Sequence, residues 1–283
     1  MFSDDPLQDS AAPRYAIESD DEEDEQNPLR IPSAQPPAPI AVRIVGDPPQ
    51  DAPLLVASAR AGAVWARGAD LGEQTGAVFV DKIQVGLLFQ PSWTQSTVLV
   101  SEAFTLLPLS HMHPYASHIL STLRPTSVSL LDTYSVASYA SPAPTAGPDS
   151  APVRFLALPS SPAPPPSLHA QPFQPPNLLQ STTAAFLLLL RLQDPPVKAT
   201  LLLLPSRQLP APPPKTLLPT HIPGGGSPDH EDAWAADTLT PVTRALLSII
   251  GEESSFEWKA KGGDRIVPAP QRRSEVGEGG MYL

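Results

Sequence analysis

Asn177-Leu178-Leu179-Gln180-Ser181-Thr182-Thr183-Ala184-Ala185-Phe186-Leu187-Leu188-Leu189-Leu190-Arg191-Leu192-Gln193-Asp194-Pro195-Pro196-Val197-Lys198-Ala199-Thr200-Leu201-Leu202-Leu203-Leu204 places two apolar elements back to back. Asn177 can cap a helix while Gln180, three residues on, reaches back to it. From Leu178 to Leu190 the side chains are apolar nearly all round, which predicts a buried helix. Asp194-Pro195-Pro196 ends it. Val197 to Leu204 then has the continuous apolar character of a central strand covered on both faces.

Upstream, short apolar runs alternate with breaks. Ile40 to Val45 and Leu54 to Ala57, bounded by Pro48, Pro49 and Pro53, have the size and punctuation of strands. A weakly helical stretch, 61–72, contains Gly62 and Gly68. Val78 to Phe89 and Thr97 to Phe104 again predict strands. Ile119, Leu120 and Leu123 repeat at helical spacing, so a helix is expected from Ser110 to Leu123, stopped by Pro125. Val128 to Leu131 and Val153 to Leu158 follow as strands. Alternation of this kind predicts an α/β fold: a single compact domain with a central sheet flanked by helices.

Downstream, Thr240 is expected to cap a helix with Pro241 at its first position, running through Val242, Leu246, Leu247 and Ile250 to Gly251. The expected organisation is a disordered acidic N-terminal arm over 1–39, an α/β domain over 40–251 and a flexible tail over 252–283. Proline-rich loops interrupt the domain at 141–152, 159–176 and 205–228.

The chain has 283 residues, 39 of them proline, and a formal charge of -11. The charge is uneven. Residues 1–30 hold ten acidic side chains against Arg14 and Arg30, a net of -8, leaving only -3 for the rest. The body therefore offers no electrostatic footprint for nucleic acid. Ser19, directly before Asp20, Asp21 and Glu22, has the context an acidophilic kinase could use; a plain solvated arm explains the same residues. With no cysteine, disulfides and thiolate metal sites are excluded. Met1-Phe2-Ser3-Asp4-Asp5 has no basic n-region or apolar h-region, and Ala184 to Leu190 is far short of the ~20 residues a bilayer span needs. These features lead us to expect a cytoplasmic protein with no membrane segment, the nucleus remaining open as a second location.

No motif for catalysis stands out. A Gly-x-Ser-x-Gly elbow and a phosphate loop are both missing from the sequence, and Gly224-Gly225-Gly226 lacks the lysine a phosphate would need. His111, His113 and His118 form a histidine cluster, but Pro114 interrupts it and no carboxylate lies nearby in sequence, which favours a structural or surface role over a metal. We expect no enzyme, no cofactor and no catalytic or metal-binding residue set.

The last seven residues have a different character. Gly277, Gly279 and Gly280 make a conformationally free stalk. Met281 adds adaptable apolar surface, Tyr282 a rigid ring with a hydroxyl, and Leu283 a carboxylate that a lysine or backbone nest can bind.

An acidic N-terminus, Pro176-Asn177-Leu178-Leu179 ahead of an apolar helix and strand, and a terminal Met281-Tyr282-Leu283 together resemble the proteasome assembly chaperone 1 family in a divergent, fungal-type form. The resemblance is diffuse over about 52–251 and sharp at the end. It implies a heterodimer with proteasome assembly chaperone 2, seated on the α-subunit ring of the proteasome core particle, where it promotes assembly and keeps regulators from docking early. Met281 would then fill the apolar wall of a pocket between α subunits, Tyr282 would pack and hydrogen-bond within it, and the Leu283 carboxylate would pair with a lysine. The proline-rich insertions depart from the compact family pattern. Met281 and Leu283 also suit a terminus that adds as a strand to a PDZ groove, where Tyr282 would matter little.

Overall fold

Successive side chains of a strand leave on opposite faces, so a strand buried on both sides must be apolar throughout. A computed structural model describes residues 39–141, 150–194, 196–209, 212–219, 234–253 and 255–259. In chain order these form β1 (Val42–Gly46), β2 (Leu54–Ser58), α1 (Ala59–Gly68), β3 (Gln74–Val80), β4 (Ile83–Phe89), β5 (Thr97–Ser101), α2 (Leu109–Leu123), β6 (Ser127–Ser135) and β7 (Arg154–Ala157). A 3-10 turn (Pro166–Leu168), β8 (Gln171–Pro172), α3 (Thr182–Leu192), β9 (Lys198–Ser206) and α4 (Ala236–Ile249) complete them.

The strands make one mixed sheet in the order β1-β3-β4-β5-β2-β6-β9-β7-β8. At its centre β5, β2, β6 and β9 are parallel. Leu54 and Val56 of β2, with Leu201 and Leu203 of β9, face a core closed by α2 and α3 through Tyr115, Ile119, Phe186 and Leu190. Leu55, Ala57, Leu202 and Leu204 face the other core, closed by α1 and α4 through Trp65, Leu239, Val242 and Leu246. The domain is thus α/β with helices on both faces, as the alternation predicts.

Several local expectations change. Val78 to Phe89 is not continuous, because Asp81 turns the chain with a left-handed backbone (φ 54) and makes β3 and β4 a hairpin. Asp81 anchors that turn to Ala41, donating its amide to the carbonyl at 2.7 Å. β5 stops at Ser101 because Glu102 is also left-handed (φ 55). Ser181, not Asn177, caps α3: its Oγ accepts from the Ala184 amide at 3.4 Å. Asn177 instead joins two loops, accepting from the Ala140 amide at 2.7 Å and donating to the carbonyls of Ala140 and Gln174. Nor is α3 buried all round, since Leu188 is 56 % exposed and Leu192 73 %. α4 begins at Ala236, ahead of Thr240 and Pro241, drawn there by burial of Leu239 and by the Trp234 indole, which donates to the Pro205 carbonyl at 2.8 Å. Within the 159–176 loop, β8 adds to the sheet edge beside β7.

The tail expected from residue 252 does not hold for 252–253 and 255–259. This segment is a strap. The Glu252 carboxylate accepts from Thr94 Oγ1 at 2.6 Å and from the Gln95 amide at 3.2 Å. Phe256 lies against Trp93, ring centroids 4.5 Å apart, and its carbonyl accepts from Arg244 Nε at 3.1 Å. A helix ends with carbonyls that have no partner of their own. Trp258 supplies one, donating its indole N–H to the Trp65 carbonyl at 2.8 Å, and the Lys259 amide donates to the Gly68 carbonyl at 3.3 Å. Gly68 must be glycine here, since a Cβ would enter the Trp258 ring.

Two substitutions test the strap together. Trp258→Ala is expected to cost about 3 to 5 kcal/mol, the usual loss for emptying a buried tryptophan site. Gly68→Ala should destabilise the wild-type chain and cost less in the Trp258→Ala background, because the ring clash is then gone while the Lys259 carbonyl oxygen, 2.6 Å from the new Cβ, must still shift. Urea unfolding of the four chains measures the cycle, and additive losses would contradict the packing described.

Candidate functional site

The carboxyl ends of β5, β2 and β6 lie side by side. After β2 the chain passes to α1 on one face, and after β5 to α2 on the other. In an open α/β sheet such a switch of faces leaves a crevice. Here side chains fill it.

Two buried carboxyl groups occupy this place, Glu102 at 3 % exposure and Asp132 at 5 %. Glu102 leaves β5 in the left-handed region, and across from it Ala59 leaves β2 likewise, with φ 48. Such backbone costs roughly 1 to 2 kcal/mol at a non-glycine residue, so its neighbours must hold it. They do so by hydrogen bonds. Glu102 Oε2 accepts from Ser58 Oγ at 2.9 Å and Oε1 from the Leu107 amide at 2.7 Å. Asp132 Oδ2 accepts from Thr183 Oγ1 at 2.6 Å and Oδ1 from the Thr133 amide at 2.7 Å. The Thr182 hydroxyl lies close enough to Glu102 to favour its charged form, but it makes no hydrogen bond of good geometry. Below them Tyr115 accepts from Ser101 Oγ at 3.1 Å, and Gly86 leaves it room: a Cβ there would stand 2.6 Å from the phenol oxygen.

Among the described residues no cation bonds either carboxyl group, so desolvation dominates. Burial pushes Glu102 up to about 7, against the hydrogen bonds from the Leu107 amide and Ser58 and the nearby Thr182 hydroxyl, with a further push from the Asp132 charge. Burial likewise raises Asp132, opposed by Thr183, the Thr133 amide and Ser181. Chemically, Glu102 can exchange a proton near neutrality. Structurally, the cluster ties the β2–α1 turn, the β5–α2 connection, β6 and the start of α3 into one knot, and its carboxyls are closed to a substrate.

The sequence-derived site residues fall elsewhere. Ser19, Met281, Tyr282 and Leu283 lie outside the described residues. His111, His113 and His118 sit on α2; His111 Nδ1 is 3.0 Å from Ser110 Oγ, and no metal-holding group of three ligands occurs among the described residues. Sequence reasoning missed Glu102, Asp132 and Thr183. Asp132, an acid directly after the apolar pair Leu130-Leu131 in β6, was the available signal, because a buried carboxyl needs partners.

The pH dependence of stability follows with a definite sign. Glu102 is raised above its unfolded value of 4.5 to about 7. Between those values the folded chain holds a proton that the unfolded chain has lost, so stability falls as pH rises and is lowest, by about 3 kcal/mol from this group, above pH 7. Asp132 acts in the same sense. Glu102→Gln should remove most of that slope, since an amide can still accept from the Leu107 N–H. Urea unfolding from pH 5 to 8 measures it, and an unchanged slope would show that Glu102 does not titrate there.

No family model and no curated protein matches the chain. Among solved structures it is similar to Pyrococcus furiosus PbaA, described as an archaeal homolog of proteasome-assembly chaperone, at 12% identity and TM-score 0.42 over 59% of this chain and 77% of that one. A Thermoplasma acidophilum protein of unknown function is similar at 9% identity and TM-score 0.40, over 56% of this chain and 68% of the other. Pyrococcus furiosus PbaB, described as an archaeal proteasome activator, is similar at 9% identity and TM-score 0.39, over 59% of this chain and 80% of its own. Each of these likenesses is distant.

Proposed function

We propose that this chain is a proteasome assembly chaperone of the chaperone 1 type, without enzymatic activity. It works as a heterodimer with proteasome assembly chaperone 2 and binds the α-subunit ring of the core particle. The observation that carries the proposal is the terminal sequence Gly277-Glu278-Gly279-Gly280-Met281-Tyr282-Leu283. An apolar residue, a tyrosine and a carboxylate on a glycine-rich stalk suit a plug that enters a pocket from outside. An α/β body is what the family resemblance implies, and the closed carboxylate knot serves such a body as a structural tie.

In this role Met281 and Tyr282 supply buried apolar area, and the Leu283 carboxylate meets a pocket lysine. Occupied pockets would be denied to regulators until the ring is complete.

A peptide ending Gly279-Gly280-Met281-Tyr282-Leu283 is the cleanest probe, because it removes all other contacts. Tyr282→Ala, and separately one residue added after Leu283, should each weaken its binding to assembled α rings about tenfold or more. Each truncates or strands a packed group at a cost on the order of 2 kcal/mol. If the alanine peptide binds as well as the parent while the extended one does not, the pocket-plug role fails and strand addition to a PDZ-type groove replaces it.

A further inference from the structure

Arg154, the first residue of β7, is 5 % exposed, with its side chain on the same side of the sheet as its register partner Leu203 of β9. Its surroundings are aromatic. The guanidinium carbon lies 3.7 Å from the centroid of the Tyr139 ring and 5.5 Å from that of Tyr134, and Phe173 packs edge-on to both rings. Arginine stays charged in a protein, and a buried charge needs an opposite charge or a full set of acceptors. Arg154 has neither among the described residues. Nη1 donates to the Pro172 carbonyl at 3.2 Å, but Nε is buried without an acceptor and Nη2 makes no hydrogen bond. The Tyr134 hydroxyl is close enough to feel the cation, yet it donates to the Pro152 carbonyl at 2.7 Å and makes no hydrogen bond of good geometry with Arg154. Nor does Asp132 neutralise it. That carboxyl is the register partner of Leu203 on the other side of β9, where Thr183 and the Thr133 amide engage its two oxygens.

The two unbonded nitrogens share one edge of the guanidinium, because Nη1 is the nitrogen on the Cδ side. Their N–H bonds run parallel, and a carboxylate accepts such a fork with both oxygens. The ring faces attract the cation but put no acceptor in its plane. We propose that the Nε–Nη2 edge of Arg154 is a binding site for a small monoanionic carboxylate. Charge sets the class: a single cation stands here, and Asp132 on the same face of the sheet counts against a dianion such as phosphate. Nη2 sets the approach. Unlike Nε it is not fully enclosed, so one carboxylate oxygen meets Nη2 and the other reaches in to Nε.

The test titrates the full chain at neutral pH with sodium acetate, sodium phosphate or sodium chloride at matched ionic strength. Acetate should move the Arg154 Nε–H resonance downfield and saturably, with a Kd on the order of 1 mM, and should raise the melting temperature, since a ligand of the folded state stabilises it. Arg154→Lys keeps the charge without the fork and should bind acetate about tenfold more weakly. Arg154→Met should lose the acetate-dependent stabilisation altogether. If these variants fail to fold, the Nε–H titration of the wild-type chain decides alone. Absence of a saturable shift with acetate overturns the site, as does acetate stabilisation of a folded Arg154→Met chain equal to that of the wild type. An equal response to chloride shows screening in place of a site, and tighter binding of phosphate than of acetate overturns the choice of a monoanion. Binding of the terminal peptide to α rings bears on none of these outcomes, since that peptide lacks Arg154.

Discussion

Two-sided burial of the central parallel strands is the constraint on which the structure depends. β2 and β9 sit between two cores, and their alternate residues serve different ones, so from Leu54 to Ala57 and from Leu201 to Leu204 no position can become polar without opening one core. Burying one leucine contributes about 2 kcal/mol, and Leu201 to Leu204 do so four times in succession, two on each side. The helix pairs follow from this, because each face of the sheet must be closed. The sheet is safer at its margins: β8 is two residues long and contains Pro172, which has no amide to offer a further strand.

The same burial explains the polar knot at the strand ends. Where the connections leave the sheet for opposite faces, main-chain groups and turns meet in a buried place, and hydroxyls and carboxyls satisfy one another there. Ser58, Glu102, Asp132 and Thr183 form such a set from four separate elements. Its cost is the raised proton affinity of Glu102 and its benefit is the fixed geometry of two left-handed turns.

The fold class was legible because continuous apolar runs mean buried strands, and the expectation for β9 was close to what the structure holds. What misled was local. Asn177 has the chemistry of a cap, as does Ser181, and only the docking of Asn177 on Ala140, 37 residues away, separates them. Composition could say that α3 was apolar all round, but not that one side would be left bare. Thr240-Pro241 looked like a helix start, yet burial of Leu239 extends the helix backwards past the proline. Glu102 carries no local mark, because its role depends on Ser58, a partner 44 residues away. The proposed tail residues were conspicuous in sequence for the opposite reason: their chemistry is local and needs no tertiary context to be seen.

The strap orders events during synthesis. Trp258 bonds the carbonyl of Trp65, 193 residues earlier, and every strand and helix of the described fold precedes it in the chain. The strap is therefore made last of the described elements, and the Trp65 and Gly68 carbonyls at the end of α1 take their partners from it. Arrival of the strap closes that end. A chain cut after α4 would lack both of those hydrogen bonds and the ring that fills the space against Gly68.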